Sequence, residues 1–505
     1  MSYLFLKSGT DVRGTALVTV EHPKYELTDK CVSDISASYI LWLSSKTGKE
    51  ISDLTVSIGH DSRLSGPRIK DAITETISNM GVNLLYCSNC STPAMFMTTI
   101  TRGCDGAIQI TASHHPYDRN GLKFFTSDGG LSSDELADIL VAADNIEIPV
   151  SKKGTVTQID YILEYSKILR DMIKSGVKAE DFEHPLKGFK IAVDAGNGVG
   201  GFYASKVLEP LGADISASQF LEPDGLFPNH VPNPENPVAM ESIRKATLNG
   251  KCDLGVIFDT DVDRASCVDE KGQEINRNSI VALASVIALE GNEGGSIVTD
   301  SVTSDGLHDF IENTLGGKHI RFKRGYKNVI DEAVRRNNNG ENTPLAIETS
   351  GHAAFKENYF LDDGAYLITK IIIKAAQVGK DGGKIGDCIK DLKKPLEEKE
   401  LRFRILENDF KAFGNKLIES IKKATQLSYD VELAPDNYEG VRVSFNRSDL
   451  QGWFLLRLSV HDPVMPFNIE SDTKGGCKKI AMAFYEAVNG IKGLDISSLT
   501  EYINS

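Results

Sequence analysis

Residues 254–264 read Leu-Gly-Val-Ile-Phe-Asp-Thr-Asp-Val-Asp-Arg. The first five residues carry no charge and are almost all apolar, whereas the next six carry three aspartates and an arginine. A short unbroken apolar run is typical of a strand buried on both faces, and the polar run that follows is typical of a turn. We therefore predict a buried strand over 254–258 that ends in an acidic turn beginning at Asp259.

The same arrangement of strand, polar turn and helix recurs along the chain. Further strands of this kind are predicted at 54–58, 106–110, 189–193, 296–299 and 345–347. A helix is predicted from 67 to 80, where Gly81 ends it. Strands that alternate with such helices predict βαβ units and largely parallel sheets. Ligands bind at the carboxyl ends of such strands, so the turns at Ser113, Asp259 and Glu348 are expected to form the active site.

A chain of 505 residues is too long for one hydrophobic core, so three or four domains are expected. Polar, charged segments at 148–155 and 391–399 are predicted to be linkers. Beyond them a helix at 409–425 and strands at 441–445 and 453–458 predict a smaller domain. The expected fold class is α/β: three similar α/β/α domains with mixed or parallel sheets (1–155, 156–277, 278–395) and a smaller C-terminal α+β domain (396–505). The segment Asn229–Pro237 is predicted to be a non-helical loop.

The composition excludes two classes of function. A net charge of −15 argues against a nucleic-acid binder, which needs a basic face. No apolar run approaches the roughly 18 residues that a membrane span needs, and the N-terminus lacks the pattern of a signal peptide. The eight cysteines are scattered and are expected to be reduced. We therefore expect a cytoplasmic protein with neither a nucleic-acid nor a membrane partner.

The acidic turn is a candidate metal site. Asp259, Asp261 and Asp263 would repel one another when close together and partly buried, and a hard divalent cation such as Mg²⁺ would remove that cost. A solvated acidic loop is the plainer alternative. An EF-hand is a sharper one, because Glu270 falls at the twelfth position, but Arg264 stands where that loop needs glycine.

The other polar turns are weaker signals when each is taken alone. Ser113 is followed by a possible base, His114, but it lacks the flanking glycines of a hydrolase nucleophile turn. Lys123 could contact phosphate, act as an acid or base, or lie on the surface. The turn 348–352 offers a carboxylate and a hydroxyl for a sugar, or it is an ordinary helix cap. Arginine and serine at 457–459 could hold a phosphate, or the arginine could form an edge-strand ion pair.

A glycine-rich run provides a rival function. Gly196, Gly198 and Gly201 match the GxGxxG pattern of dinucleotide-binding enzymes after a predicted strand. The acid expected at the end of the second strand is misplaced, because Asp214 begins its segment. An oxidoreductase is therefore the less favoured interpretation.

Taken in order, these motifs resemble the α-D-phosphohexomutase superfamily over nearly the whole chain. The family's phosphoserine loop Thr-Ala-Ser-His-Asn-Pro corresponds to Thr111–Pro116, with His115 in the asparagine place. Its metal loop Asp-Gly-Asp-Gly-Asp-Arg corresponds to 259–264, with Thr260 and Val262 in place of the glycines. Its sugar loop Gly-Glu-Met-Ser-Gly-His corresponds to the segment ending in Glu348-Thr349-Ser350-Gly351-His352. Segments 8–14, 59–63 and 325–327 are similar to further family motifs.

The resemblance implies four domains around a central cleft and a phosphohexomutase that works through phosphorylated Ser113 and a bisphosphorylated sugar. It implies catalytic roles for Ser113, His114, Lys123 and Arg13. It also implies that Mg²⁺ is bound by the three aspartates and a Ser113 phosphate oxygen, and that a hexose 1,6-bisphosphate is the activator. The implied substrate-binding residues are Arg264, Lys327, Glu348, Ser350, His352, Arg457, Ser459 and His461.

Two departures from the family pattern bear on the substrate. Val460 and His461 stand where the family's phosphate loop has glycine and threonine, and valine tolerates positive φ poorly. At the position of Thr349, phosphomannomutase/phosphoglucomutase members of the family commonly have methionine, and phosphoglucosamine mutases commonly have glutamine. Mannose and glucose phosphates are favoured as the phosphosugar substrates; a phosphoglucosamine mutase and a non-catalytic phosphosugar-binding homologue stay open. The protein is expected to be a monomer or a dimer.

Overall fold

The structure is a computed structural model that describes residues 2–427, 431–435, 437–459 and 462–505. Over these residues the strands are, in chain order, β1 (Lys7–Ser8), β2 (Asp11–Thr15), β3 (Thr55–His60), β4 (Asn83–Asn89), β5 (Gly106–Ile110), β6 (Arg119–Thr126), β7 (Gly129–Gly130), β8 (Val156–Gln158), β9 (Ile191–Asp194), β10 (Leu254–Phe258), β11 (Ala265–Asp269), β12 (Glu274–Ile275), β13 (Ser296–Thr299), β14 (Lys318–Arg321), β15 (Leu345–Ile347), β16 (Ala353–Phe355), β17 (Glu397–Ile405), β18 (Glu432–Leu433), β19 (Val441–Arg447), β20 (Leu450–Leu456), β21 (Val464–Ser471) and β22 (Leu494–Asp495).

The α-helices of the same residues are α1 (Asp29–Thr47), α2 (Gly66–Asn79), α3 (Thr92–Thr101), α4 (Ser133–Ala143), α5 (Tyr161–Val177), α6 (Pro237–Gly250), α7 (Asn278–Leu289), α8 (Asp305–Asp309), α9 (Tyr326–Asn338), α10 (Gly364–Lys380), α11 (Phe410–Gln426), α12 (Gly476–Val488) and α13 (Ser497–Asn504). Short 3₁₀ turns lie at Tyr3–Leu6, Ile51–Asp53, Glu209–Leu211, Lys356–Asn358 and Ile385–Ile389, and π-helical turns lie at Tyr203–Leu208 and Phe310–Thr314. In the part of the chain that the structure describes, no helix is both long enough and apolar enough to cross a bilayer.

The chain divides into two compact units. One consists of Met1–Glu290 with Pro344–Lys390, and the other of Gly291–Thr343 with Asp391–Ser505.

In the first unit, the first sheet is mixed and has the order β1-β2-β6-β5-β3-β4-β8. Strands β5, β3, β4 and β8 run parallel; β6 pairs antiparallel with β5, and β2 pairs antiparallel with β6. The apolar side chains of α1, α2 and α4 bury this sheet in a continuous core. In the second sheet β9 pairs parallel with β10, and β11 and β12 follow antiparallel.

A common geometry places the three polar turns of this unit. Each turn connects a buried strand to an antiparallel neighbour: β5 to β6, β10 to β11, and β15 to β16. The turns therefore lie at the carboxyl ends of buried strands, as the sequence predicts.

The second unit contains the parallel pair β13–β14 and an antiparallel sheet with the order β18-β19-β20-β21-β17-β22. Packed aromatic rings fill the core of that sheet, with the ring centroids of Phe467 and Phe484 4.2 Å apart. Its two-residue alternation of buried and exposed side chains is clear along β17, where Leu401, Phe403 and Ile405 point inward.

Most predicted elements are confirmed within one or two residues, including the strands ending at Ile110, Phe258 and Ile347 and the helices α2 and α11. Three details are wrong. The linker predicted at 391–399 already contains the start of β17 at Glu397. Pro237 is the first residue of α6, because a proline at that position loses no helical hydrogen bond. The sheets are more mixed than largely parallel, because every polar turn reverses the chain.

Candidate active site

The serine loop, residues Thr111–Pro116, is held by one buried guanidinium. Arg63, only 1% exposed, donates hydrogen bonds to four backbone carbonyls. The acceptors are Ser113 at 2.5 Å, Pro116 at 2.6 Å, His115 at 2.7 Å and Arg119 at 2.9 Å. Because five fixed N–H donors form a planar fork, one arginine can fix several carbonyls of a loop at once.

Asp61 completes this clamp. It accepts hydrogen bonds from the backbone N–H of Arg63 at 2.9 Å and from the Arg63 Nε at 3.2 Å. It also accepts the Thr111 hydroxyl at 2.7 Å, and the Thr111 Oγ1 in turn accepts the Ser113 N–H at 2.9 Å. Arg13 donates to the Thr111 carbonyl at 2.6 Å, so it reaches the backbone of the serine loop. Burial raises the pKa of Asp61 and lowers that of Arg63.

Ser113 itself has a left-handed backbone with φ of +47°. Such a conformation in a non-glycine residue costs about 1–3 kcal/mol and persists only where the surroundings hold it. Its hydroxyl donates to Asp259 Oδ2 at 3.0 Å and accepts Arg264 Nη2 at 3.3 Å. The Nδ1 of His114 lies 3.4 Å from the same oxygen. The hydroxyl of Ser113 therefore lies between a carboxylate and a cation.

The metal loop, residues Asp259–Arg264, brings three buried carboxylates together. One oxygen from each of Asp259, Asp261 and Asp263 lies within 4.8 Å of the others. Burial and then the charges of its two neighbours raise the pKa of Asp259 well above its usual value. Among the described residues no donor reaches Asp261 Oδ1 or Asp263 Oδ1, although both atoms are buried. Unsatisfied buried carboxylate oxygens at this spacing fit a metal ion, so the cluster could hold one.

Lys123 provides the positive charge beside this cluster. Its ammonium group bonds Asp263 Oδ2 and lies 3.7 Å from Asp261 Oδ2. Burial alone would raise the pKa of Asp263, but the charges of Lys123, His352 and Arg264 outweigh it and hold that pKa well below its usual value. Asp263 is therefore an anion in the folded protein.

Thr92 contacts the middle aspartate. At the first turn of α3, its hydroxyl bonds Asp261 Oδ2 and its backbone N–H donates to the Asp261 carbonyl at 2.9 Å. The helix is capped by Ser91, whose Oγ accepts the Ala94 N–H. The metal loop thus packs directly against the start of a helix.

Arg264 joins the metal loop to the serine loop. Its backbone N–H donates to Asp259 Oδ1 at 3.2 Å and its Nε to Asp259 Oδ2 at 3.4 Å. Its Nη1 donates to Asn233 Oδ1 at 3.3 Å and lies 3.6 Å from a Glu235 carboxylate oxygen. Its Nη2 also donates to His114 Nδ1.

His114 is neutral in this arrangement. Burial, followed by the positive charge of Arg264 and by His115, lowers the pKa of His114 to about 2. Because its Nδ1 accepts a hydrogen bond from Arg264, that nitrogen is already occupied. A proton taken from a substrate hydroxyl would have a poor acceptor here.

The sugar loop, residues 348–352, is a tight turn between β15 and β16. Gly351 donates to the Glu348 carbonyl at 3.1 Å, and Glu348 donates to the His352 carbonyl at 2.9 Å. The Ser350 hydroxyl oxygen is buried and has no hydrogen-bond partner among the described residues. His352 Nδ1 bonds Asp362; burial opposes its protonation, but the charges of Asp362 and Asp263 raise the His352 pKa to about 9.

Four other predicted residues belong to the second unit. The Arg457 Nε is buried without a hydrogen-bond partner in the described part of the chain, and burial followed by the charge of Arg324 lowers the Arg457 pKa. Ser459 donates its backbone N–H to the Val464 carbonyl at 2.9 Å, and Lys327 pairs with Asp331. His461, which the sequence predicts to bind substrate, and its neighbour Val460 lie outside the described residues.

The glycine-rich run has a packing explanation. A Cβ at Gly198 would lie 2.5 Å from the Thr260 carbonyl oxygen, and one at Gly201 would lie 2.0 Å from the Leu221 carbonyl oxygen. These glycines let the chain after β9 approach the metal loop and its neighbouring loop closely.

The structure thus brings Ser113, His114 and Lys123 together with the metal loop and His352. Sequence reasoning missed three residues that hold this arrangement: Arg63, Thr92 and Asp362. Arg63 stood in a family-like motif without an assigned role. The segment Ser91-Thr92-Pro93 indicates the start of a helix but not a contact with the metal loop. No sequence pattern around Asp362 indicates a role in the site.

Comparisons with known protein families match this architecture. The chain matches the phosphoglucomutase/phosphomannomutase α/β/α domain I over residues 8–147, domain II over 170–272 and domain III over 276–392. The expected three α/β/α domains, followed by a further β-rich domain, are confirmed.

Full-length relatives and solved structures agree. The chain is 27% identical to a phosphoglucomutase of Neisseria gonorrhoeae, covering 91% of this chain and 94% of the relative. It is 26% identical to a phosphomannomutase/phosphoglucomutase of Pseudomonas aeruginosa, covering 94% and 96%. A crystal structure of a Burkholderia thailandensis protein of the phosphoglucomutase/phosphomannomutase family shares the fold with a TM-score of 0.78 at 23% identity, covering 97% and 98%. The chain therefore belongs to the α-D-phosphohexomutase superfamily and is a phosphohexomutase, an isomerase that moves a phosphoryl group.

Proposed function

We propose that the protein interconverts hexose 1-phosphates and hexose 6-phosphates through a phosphate carried on Ser113. The observation that carries this proposal is the position of the Ser113 hydroxyl, 3.0 Å from Asp259 Oδ2 and 3.3 Å from Arg264 Nη2. A phosphate on that oxygen would lie beside both a cation and the acidic cluster. Phosphoryl transfer needs mainly alignment and charge neutralisation, and these groups supply both.

The proposed reaction has two transfers. In the first, the bond from phosphorus to Ser113 Oγ breaks as a sugar hydroxyl oxygen bonds phosphorus, and the hydroxyl proton passes to a base. The resulting hexose 1,6-bisphosphate turns over within the site. Ser113 Oγ then bonds its other phosphorus as the bond from that phosphorus to the sugar oxygen breaks, and the departing sugar oxygen takes the proton back from the base. The same bisphosphate, added as activator, would phosphorylate a fresh Ser113.

We propose Mg²⁺ as the metal, held by Asp259, Asp261 and Asp263 with a phosphate oxygen on Ser113. The oxygen-only ligand set and the two unsatisfied carboxylate oxygens support this choice. When bound, the ion would neutralise charge on the transferring phosphoryl group. Arg264, whose Nη2 lies 3.3 Å from the Ser113 oxygen, would contribute a second positive charge.

Lys123 is the favoured acid–base group over His114. The Nδ1 of His114 accepts a hydrogen bond from Arg264, and its pKa of about 2 makes it a weak base. Lys123 lies against Asp263 and Asp261, within the same group of charges that surrounds Ser113. Arg13, which contacts the serine loop through the Thr111 carbonyl, would keep that loop in place.

We assign sugar recognition to Glu348, Ser350 and His352. The buried, unpartnered Ser350 hydroxyl supports this assignment, because a substrate hydroxyl would satisfy it. Arg457, Ser459 and His461 are proposed to hold the phosphate that is not reacting, and Lys327 is proposed to contact the substrate. The buried Arg457 Nε, which has no hydrogen-bond partner among the described residues, supports the phosphate site.

Mannose and glucose phosphates are the proposed substrates, since the relatives described above carry phosphoglucomutase and phosphomannomutase in their names. The cytoplasm is the proposed compartment, in line with eight cysteines that form no disulfide. A monomeric or dimeric state and domain boundaries at 155, 277 and 395 stay predictions.

A coupled assay tests the proposal. Glucose, mannose and glucosamine 1-phosphates are supplied separately with Mg²⁺ and a catalytic amount of the matching 1,6-bisphosphate, and formation of each 6-phosphate is followed. Preferred turnover of glucose or mannose phosphate is expected. Preferred turnover of the glucosamine compound would instead indicate a phosphoglucosamine mutase. Tight phosphosugar binding in calorimetry with no turnover of any substrate would indicate a non-catalytic homologue.

A further inference from the structure

Thr92 is an uncharged side chain bonded to the candidate metal cluster. It is 3% exposed and belongs to α3, whereas the carboxylate it contacts belongs to the loop after β10. Two bonds join them: the Thr92 hydroxyl bonds Asp261 Oδ2, and the Thr92 N–H donates to the Asp261 carbonyl at 2.9 Å. The first bond fixes the carboxylate and the second fixes the backbone of the loop.

The two oxygens of Asp261 consequently differ. Oδ2 is occupied by the Thr92 hydroxyl, while Oδ1 is buried and accepts no hydrogen bond from any described residue. Asp263 shows the same division: its Oδ2 bonds Lys123, and its Oδ1 accepts no hydrogen bond from a described residue, although Arg264 Nε and His352 Nδ1 each lie 4.0 Å from it. A carboxylate bonded through one oxygen has lost much of its rotational freedom, so its other oxygen is held in place without a hydrogen bond and stays available to a cation.

The two bonded partners are chemically different. Lys123 carries a positive charge that a divalent cation in the cluster would repel, so its bond to Asp263 competes with the metal. The Thr92 hydroxyl is neutral and can keep its bond to Asp261 after a cation arrives. Hydrogen-bond donors of this kind, which orient a ligand without touching the metal, commonly change metal affinity by about 10–100-fold.

We propose that Thr92 is a positioning residue for the metal centre, one that orients the Asp261 carboxylate so that Oδ1 faces the cation. This inference rests on the proposed metal site. According to this inference, Thr92 contributes to the metal affinity although it lies outside the metal loop. It does so only through the bond from its hydroxyl to Asp261. The backbone bond from the Thr92 N–H is a separate contact that any residue at this position except proline could make.

The test compares Thr92→Val, which keeps the shape and the backbone bond but removes the hydroxyl, with Thr92→Ser, which keeps the hydroxyl. Thr99→Val is the matched control, because Thr99 is also buried in α3 and its hydroxyl bonds, among the described residues, the Phe96 carbonyl of the same helix and not the metal cluster. Binding of Mg²⁺ and Mn²⁺ to unphosphorylated full-length protein is measured by calorimetry, and the metal-induced rise in melting temperature is measured in parallel.

We expect Thr92→Val to weaken metal binding by about 10-fold or more, and Thr92→Ser and Thr99→Val to stay within about threefold of the unmodified protein. The metal-induced rise in melting temperature should shrink for Thr92→Val only. If Thr92→Val does not fold, Thr92→Ala must show the same loss. Thr92→Val affinity within about twofold of the unmodified protein would overturn the inference.

The result separates this inference from the proposed function. If the unmodified protein binds neither cation, the proposed metal site and this inference fail together. If the unmodified protein binds metal and isomerises phosphosugars while Thr92→Val binds equally well, only the role of Thr92 fails. A further check uses Asp261→Ala as background, which leaves the Thr92 hydroxyl no carboxylate to orient, so that Thr92→Val should cause no additional loss of affinity.

Discussion

The serine loop and the metal loop meet at the Ser113 hydroxyl, but different forces hold them. The serine loop is fixed through its backbone, because Arg63 and Arg13 donate to its carbonyls and leave the Ser113 side chain to other partners. The metal loop is fixed through its carboxylates, and two of their buried oxygens have no donor among the described residues. The first loop has its hydrogen bonds satisfied, whereas the second carries excess negative charge.

This difference indicates how the site is built. A reacting group must be placed before substrate arrives, and buried arginine bonds to carbonyls do that without using the reacting atom. A cation site works in the opposite way, because the repulsion between its carboxylates is what a bound ion relieves. We therefore expect a bound metal ion to change the stability of the serine loop little and to change the stability of the metal loop strongly.

Removal of the Ser113 hydroxyl should have the largest effect. Ser113→Ala is expected to lower mutase turnover by at least about 10³-fold, because the oxygen that carries the phosphate is lost. Binding of Mg²⁺ to the unphosphorylated protein should change little, since three aspartates remain. Turnover is measured in the coupled assay and metal binding by calorimetry; near-normal turnover in Ser113→Ala would refute the role of this residue.

Breaking the arginine clamp should be the next largest change. Arg63→Met removes four carbonyl bonds and leaves Asp61 buried without its partner, which should cost about 3–5 kcal/mol of unfolding free energy. Urea denaturation measures this cost. Arg102→Met is the control, because Arg102 is exposed and its guanidinium bonds the partly exposed carboxylate of Glu164, and that change should cost about 1 kcal/mol or less. Equal costs for the two variants would show that the serine loop does not depend on the clamp.

Asp263→Asn should affect the metal loop while sparing the serine loop. Loss of one carboxylate should weaken Mg²⁺ binding by about 100-fold and remove most of the metal-induced rise in melting temperature. Asp194→Asn is a matched control, because Asp194 is a fully buried carboxylate in the same unit that bonds His230 rather than the cluster. It should lower stability yet keep the metal-induced rise. A normal rise in Asp263→Asn would remove Asp263 from the metal site.

A smaller prediction concerns the left-handed backbone conformation, which occurs at one non-glycine residue in each of the two loops. Val262, like Ser113, is left-handed, with φ of +67°, and it is fully buried in the place where the family has glycine. A β-branched residue is strained there by about 1–3 kcal/mol. Val262→Gly should therefore cost at least about 1 kcal/mol less stability than Val256→Gly, which removes an equally buried valine from β10, because only glycine lacks the Cβ that strains a left-handed backbone. Urea denaturation compares the two, and an equal cost would show that Val262 is unstrained.

The local features of this molecule were predictable from the sequence, and the long-range ones were not. The apolar run 254–258 and the acidic turn after it predicted both a strand and a metal site, because each signal is confined to a few adjacent residues. The contact between Arg63 and the serine loop joins residues 50 or more positions apart, and no local pattern specifies it. The start of β17 was missed because four charged residues, Glu397–Glu400, precede the inward-facing Leu401, Phe403 and Ile405. The bond from Thr92 to Asp261 joins the start of α3 to the loop after β10 across 169 positions, a separation that no periodic sequence pattern can predict.

The central claim is that Ser113 carries the phosphate. The protein is incubated with a hexose 1,6-bisphosphate and Mg²⁺, its intact mass is measured, and the modified peptide is sequenced by mass spectrometry. The account predicts one phosphate per chain, on Ser113, that is released when excess hexose 1-phosphate is added. Turnover of substrate with no phosphate on Ser113, or with the phosphate on another residue, would contradict it.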